Sequence, residues 1–410
     1  MKTSFGIVGH WAAETPDRVF LTQPLNGQVK TWTYAQAYDA ARRLAQWFLG
    51  QGIEPGDKVA LLSKNCAEWV ITDLALAMSG IVSVPIYPTA SAPTIKYVLE
   101  HSDARMLVIG RLDNPGVAEE AVAAKMPTVT MRYDSIDGAH DWDKAVADSA
   151  RLADPHAPAP RETMTMLYTS GSTGRPKGVV MSYGAYAYAC GTCTEIYGCS
   201  REERLLSYLP LAHVAERTAS AGPVIFGGGQ LFFVDALETF VDDLKRANAT
   251  VFTSVPRLWV QFQTGVHKGM PPEKLDRLLS ISILGKMVAR KIRQKLGLDN
   301  ARLHGSGSAP ISPATLRWYE RLGIQISEGW GMTETGGLSC TNLPFRSDRV
   351  GSIGKPIPGT DMRLSDEGEI ELKSPGLMTE YYKNPEATAE TMTDDGYLKT
   401  GDKGEWDASI

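Results

Sequence analysis

Apolar residues along this chain recur at two spacings, and the switch between them organises the sequence. Ala37, Ala41, Leu44 and Phe48 fall on one face at helical spacing after Thr33-Tyr34, and a turn over 50–56 supplies the stop. A β-rich run over 58–63 follows, then a helix over 68–78 and a strand over 81–84. A further helix (94–101) and strand (106–109) continue the alternation. Later in the chain, strands are expected over 205–208, 230–234, 251–254 and 325–327, and helices over 240–248, 256–266 and 313–322. Alternating strands and helices predict α/β architecture with mainly parallel, doubly wound sheets. From about residue 339 short β-like pieces (362–364 and 369–373) flank a turn at Asp366-Glu367-Gly368, which suggests a small β-rich unit. The expected organisation is a first α/β subdomain over 1–160, a second over 161–338 and a β-rich subdomain over 339–410. Ala157-Pro158-Ala159-Pro160 reads as the extended linker between the first two.

Composition narrows the partners. At 410 residues the chain exceeds one compact core. A net charge of −5 gives no electrostatic reason to expect nucleic acid, so an anionic ligand must be held by local donors. The N-terminus lacks the apolar core of a signal peptide, and a cytoplasmic protein is expected. The stretch 69–87 comes nearest to a membrane span, but it contains Asp73 and Pro85 and is broken by Ser79-Gly80. It reads as a buried helix followed by a strand, with peripheral membrane contact left open. Of five cysteines, Cys190 and Cys193 have metal-like spacing, yet no fourth ligand lies near them, and buried free thiols are the better reading. Residues 286–295 form a basic helical face, read as solvated surface, with contact to a coenzyme A phosphate as the second reading.

The stretch with the densest chemistry is Tyr168-Thr-Ser-Gly-Ser-Thr-Gly-Arg-Pro-Lys-Gly-Val179. Hydroxyls at Ser170, Ser172 and Thr173, glycines at Gly171, Gly174 and Gly178, and Lys177 suit a polyphosphate. Glycine lets backbone N–H groups approach an anion, hydroxyls add donors without bulk, and lysine brings a mobile positive charge. A flexible Gly/Ser loop is the plain alternative, but Pro176 stiffens the segment beside its lysine. A P-loop is excluded, because Lys177 follows proline and precedes Gly178.

Thr169 to Gly178 resembles the signature loop of the adenylate-forming enzymes: acyl-CoA synthetases, peptide-synthetase adenylation domains and firefly luciferases. Further matches follow in order. Leu209-Pro-Leu-Ala-His213 is similar to the family stretch whose His or aromatic lies beside the acyl-adenylate. Val255-Pro-Arg-Leu-Trp259 resembles a segment of long-chain acyl-CoA synthetases in which a tryptophan gates the fatty-acid tunnel; a core tryptophan on a helix is the equal alternative. A long acyl chain would favour a deep apolar slot, since burial yields ~0.8 kcal/mol per methylene, about 8 kcal/mol for ten before ordering costs. Gly305-Ser-Gly-Ser308-Ala309-Pro310 matches the adenine-binding turn. Ser327-Glu328-Gly329-Trp330-Gly331-Met332-Thr333-Glu334 matches the strand end that completes the nucleotide site, with Trp330 where the family usually has tyrosine. An aromatic face still stacks on adenine.

The resemblance implies roles residue by residue. Thr169 to Gly174 with Lys177 and Thr333 would hold phosphate, Glu334 would hold magnesium, and Asp402 in Tyr397-Leu-Lys-Thr-Gly-Asp402 would accept both ribose hydroxyls. Gly331 would join His213 and Trp259 at the acyl substrate. The block 368–388, with Tyr381 and Tyr382, would be structural. Lys177 at ~4 Å from one phosphate charge would give about 4 kcal/mol at an effective dielectric near 20; a triphosphate carries several charges and meets an anionic carboxylate, so a divalent ion is expected as well. The implied reaction is activation of a long-chain fatty acid by ATP to acyl-adenylate, then transfer to coenzyme A. Alternatives are an acyl-AMP ligase or β-lactone synthetase that uses no coenzyme A, and an inert nucleotide-binding fragment. Family members continue into a small mobile C-terminal domain bearing a lysine needed for adenylation; it is absent from these 410 residues, so weak turnover is expected. A homodimer is left open.

Overall fold

The computed structural model describes residues 2–122, 126–133, 138–169 and 175–407. Its frame is two large sheets with helices between and around them. The eight-stranded sheet runs, edge to edge, Glu380–Tyr381, Lys177–Ser182, Thr163–Thr169, Val82–Ile86, Lys58–Leu62, Ala104–Ile109, Thr128–Thr130 and His140–Asp141. The strands from Thr163–Thr169 onward are parallel, while Lys177–Ser182 returns antiparallel beside Thr163–Thr169. The nine-stranded sheet is parallel through Val19–Leu25, Gln230–Phe233, Arg204–Ser207, Val251–Ser254, Leu303–Ser306 and Ile326–Trp330, with antiparallel strands at both edges. A three-stranded antiparallel sheet of Asp361–Leu364, Glu369–Lys373 and Leu398–Lys403 completes the chain.

Local sequence explains the elements. Thr33 caps the helix Tyr34–Gly50 in a reciprocal box: its hydroxyl accepts from the Gln36 N–H at 3.2 Å, and the Gln36 side-chain Oε1 accepts from the Thr33 N–H at 2.9 Å. The helix Ala67–Met78 is buried on every face, which is why its polar residues are so few. It belongs to the largest core cluster, which contains Leu61 and Val108 of one sheet and Leu205 and Leu231 of the other. Among the described residues no helix is long and apolar enough to cross a membrane. All five cysteines are free thiols, and burial pushes Cys66, Cys193, Cys199 and Cys340 up to about 12.

The α/β class and the small antiparallel sheet are as expected, and each large sheet draws strands from distant parts of the chain. Val19–Leu25 and Gln28–Thr33 form a hairpin through Asn26 (φ 50°) and Gly27 (φ 78°), and its first strand pairs with Gln230–Phe233 of the nine-stranded sheet. Conversely, Thr163–Thr169, Lys177–Ser182 and Glu380–Tyr381, all beyond residue 160, finish the eight-stranded sheet. Apolar spacing reports what kind of element a segment forms; it carries no information on which sheet a strand joins.

A buried ion pair ties the halves together. Arg217 Nη2 donates to both Asp73 oxygens at 2.7 and 2.6 Å, and Nη1 donates to Thr165 Oγ1 at 2.7 Å. Its guanidinium lies 5.4 Å from the ring centroids of both Trp69 and Tyr186. Arg217 stands in a π-helix, Ala215–Ala221, immediately after the His213 turn.

Candidate active site

A cavity of about 500 Å³ opens where the two large sheets meet. It lies beyond the carboxyl ends of parallel strands, the usual ligand crevice of open α/β sheets. Ser254, Ser306, Gly307, Ser308 and Gly329 to Glu334 reach it from the nine-stranded sheet, and Thr169 from the eight-stranded one. Tyr87, Leu209, His213, Val214 and Leu338 complete much of the wall. Thr169, His213, Ser308, Gly329, Trp330, Gly331, Met332, Thr333 and Glu334, singled out above from segments scattered through the chain, therefore share one cavity.

The His213 turn is fixed from below. Asn65 Nδ2 donates to the Leu209 carbonyl at 2.7 Å and to Ser207 Oγ at 2.9 Å, and Asn65 Oδ1 accepts from the Leu211 N–H at 2.9 Å. Ser207 Oγ in turn donates to Glu216 Oε1 at 2.6 Å. Burial pushes the Glu216 carboxyl up to about 8, so this acid holds its proton near neutral pH. His213 is shifted the other way: burial lowers its pKa and keeps the ring neutral. The Ala215 N–H donates to Nδ1 at 3.1 Å, so the neutral ring carries its proton on Nε2 and offers a donor to a ligand.

On the opposite wall the strand end is closely packed. A Cβ on Gly331 would stand 1.6 Å from the Gly337 carbonyl oxygen, so only glycine fits there. Trp330 Nε1 donates to Asp402 Oδ2 at 3.0 Å, which joins the cavity wall to the three-stranded sheet. Glu334 is buried and accepts from the Tyr381 hydroxyl at 2.7 Å through Oε1. Lys177 Nζ lies 4.6 Å from the centroid of the same Tyr381 ring. Tyr381, read from sequence as structural, is thus the link between the lysine and the acid. The repeated Tyr-Tyr in an otherwise polar stretch was the available signal.

Other expected residues stand elsewhere. Thr169 and Lys177 are paired across the two strands, but Ser170, Gly171, Ser172, Thr173 and Gly174 lie outside the described residues. Ala309 and Pro310 are exposed beyond Ser308, which adopts a left-handed φ of 65°. Glu328 accepts from the Gly351 N–H at 2.7 Å, and burial raises its carboxyl. Trp259 does not line the cavity. It is fully buried in the second core cluster, its Nε1 donating to the Gly305 carbonyl at 3.2 Å, so the core alternative is the one the structure displays. Its indole braces the back of a strand whose residues do reach the cavity.

The donor set fits a hard cation only in part. Glu334 supplies a single carboxylate with one oxygen engaged by Tyr381. Among the described residues no three His, Cys, Asp or Glu side chains form a metal cluster. A cation held by Glu334 would have to take the rest of its oxygen ligands from water or from a bound ligand.

Three comparisons bear on this site. The family described as AMP-binding enzyme matches residues 8–382. Long-chain-fatty-acid–CoA ligase FadD15 of Mycobacterium bovis is 28% identical, over 95% of this chain and 70% of its own length. The peroxisomal long chain acyl-CoA synthetase 6 of Arabidopsis thaliana is 29% identical, over 93% of this chain and 60% of its own. The N-terminal domain of FACL13 from Mycobacterium tuberculosis superposes with a TM-score of 0.81 at 24% identity, covering 100% of this chain and 98% of that one. At that identity the superposition speaks to the fold.

Proposed function

Because the chain belongs to the AMP-binding enzyme family, we propose that its cavity binds ATP and a carboxylic acid and forms an acyl-adenylate. The observation that carries this reading is the convergence of Thr169, His213, Ser308, Trp330, Thr333 and Glu334 on one cavity, with Asp402 bonded to Trp330. A carboxylate acylates poorly because its leaving group is oxide. Attack of its oxygen on the α-phosphorus expels pyrophosphate and makes AMP the leaving group for the next step. Preorganised donors then stabilise the charge that gathers on the phosphate, and holding both anions in register supplies the positional advantage.

Within this reading Trp330 offers an aromatic face to adenine, and Asp402 accepts the ribose hydroxyls. The Nε2–H of His213 donates toward the reacting carboxylate or phosphate. Lys177 offers its positive charge to the polyphosphate. Glu334 is the residue to hold magnesium, which would draw charge from the phosphates. The acid is a long-chain fatty acid and the acceptor is coenzyme A, a reading supported by the names of the relatives above. A panel of acids scored by pyrophosphate release, with and without coenzyme A, tests both points. Release with long-chain acids, and thioester only when coenzyme A is present, is expected. Absence of pyrophosphate release together with absence of calorimetric heat on adding ATP would overturn the proposal.

A further inference from the structure

Away from the cavity, one surface breaks the chain's charge balance. The segment 256–295 holds nine lysines and arginines against two acids, Glu273 and Asp276, in a chain of net charge −5. The same segment holds Val260, Ile281, Ile283, Leu284 and Met287, five of the eight large apolar side chains exposed among the described residues. Ile283 is 77% exposed and Met287 54%. Isolated exposed apolar residues are ordinary, but a cluster rimmed by one sign of charge marks an interaction surface.

The helix Ser282–Leu296 arranges them. Its buried residues Gly285, Ala289, Ile292 and Leu296 form one stripe toward the core. At about 100° per residue, Ile283 and Met287 fall roughly 150 to 190° from the centre of that stripe, directly outward. Lys286 and Arg290 flank them on one side, and Leu284, Lys291 and Lys295 on the other. All seven of these outward residues are exposed, and none of the four cations is paired with an acid among the described residues. The helix therefore turns an apolar ridge, bordered by unneutralised cations, to solvent.

We propose that this helix is a docking surface for an anionic lipid bilayer. Ile283 and Met287 enter the headgroup–acyl boundary, while Lys286, Arg290, Lys291 and Lys295 spread their stems and contact lipid phosphates, as basic amphipathic helices do when they lie in an interface. A protein partner would need complementary shape. A lipid surface needs only this combination of ridge and charge. The helix lies on the bilayer and does not span it, in keeping with its length of 15 residues.

Flotation of the 410-residue protein with vesicles, without ATP or any acid, keeps the test independent of the cavity's assignment. Binding to mixed phosphatidylcholine–phosphatidylglycerol vesicles, weak binding to phosphatidylcholine alone and loss at high salt are expected. Each cation contributes about a fivefold gain at an anionic surface, so Lys286→Gln with Arg290→Gln should weaken partition at least tenfold. Ile283→Ser with Met287→Ser should do likewise, while Leu237→Ser, an exposed apolar residue elsewhere, should change nothing. All these sites are exposed, and unchanged circular dichroism would exclude misfolding. Equal binding by the charge variant or no preference for anionic vesicles would overturn the proposal. So would a self-association that Ile283→Ser with Met287→Ser abolishes.

Discussion

Removing Arg217 should uncouple the two large sheets. Arg217→Met keeps the volume of the stem but leaves both oxygens of Asp73 without their guanidinium, in a setting where the Asp73 side chain is 11% exposed and that of Arg217 is 1%. Leaving one partner of a buried pair costs roughly 3–5 kcal/mol, because the surviving charge is uncompensated. The Thr165 hydroxyl also loses a donor, and Trp69 and Tyr186 lose a cation. At about 2.1 cal/mol/K per residue, the 410-residue chain unfolds with an entropy near 0.9 kcal/mol/K, so this loss corresponds to a Tm decrease of about 3–6 °C. Scanning calorimetry of wild type, Arg217→Met, Asp73→Leu and the double variant forms the assay. The double variant should recover most of the loss, since an apolar pair of similar size is often neutral. A single-variant shift below about 1 °C, or strictly additive losses in the double variant, would refute the view that this pair is a buried, coupled tie.

Two further outcomes follow from the cavity. Glu216, about 8 when folded against an ordinary 4.5, keeps a proton that the unfolded chain has released, so between those values its contribution to stability declines as pH rises. Glu216→Gln removes that slope, and its Tm relative to wild type should climb from about pH 5 to about pH 8; a flat difference would contradict a protonated Glu216. Asp402→Ala should weaken ATP binding by about 10–100-fold in calorimetry and erase the preference for ATP over 2′-deoxyATP. A variant that still discriminates the two as wild type does would remove Asp402 from the ribose.

Element types were readable because apolar spacing is a local property. The capped helix from Tyr34, the buried helix from Ala67 and the parallel strands all stand close to where spacing puts them. Pairing was not readable. The strand Val19–Leu25 joins Gln230–Phe233, a partner some two hundred residues away, and a two-residue turn signal at Asn26-Gly27 was the sole local trace of the hairpin. The candidate site was legible where a motif fixes backbone shape, as with Gly331 against Gly337. It was not legible where side chains from remote segments meet. The Tyr381-Tyr382 pair hinted at a special position but not at its partners Lys177 and Glu334, and no local pattern shows that Asn65 holds the His213 turn. Trp259 shows the limit from the other side, since a helix carries a tryptophan to either face and only packing decides which.

The exchange of strands between the sheets governs how the protein can be made. Val19–Leu25 must wait for Gln230–Phe233, and the edge at Lys177–Ser182 stays open until Glu380–Tyr381 arrives. A nascent chain therefore emerges from the ribosome with both sheets incomplete and unpaired edges exposed through most of translation. No early segment of it closes a sheet by itself, so folding is completed only when strands far apart in the chain have met.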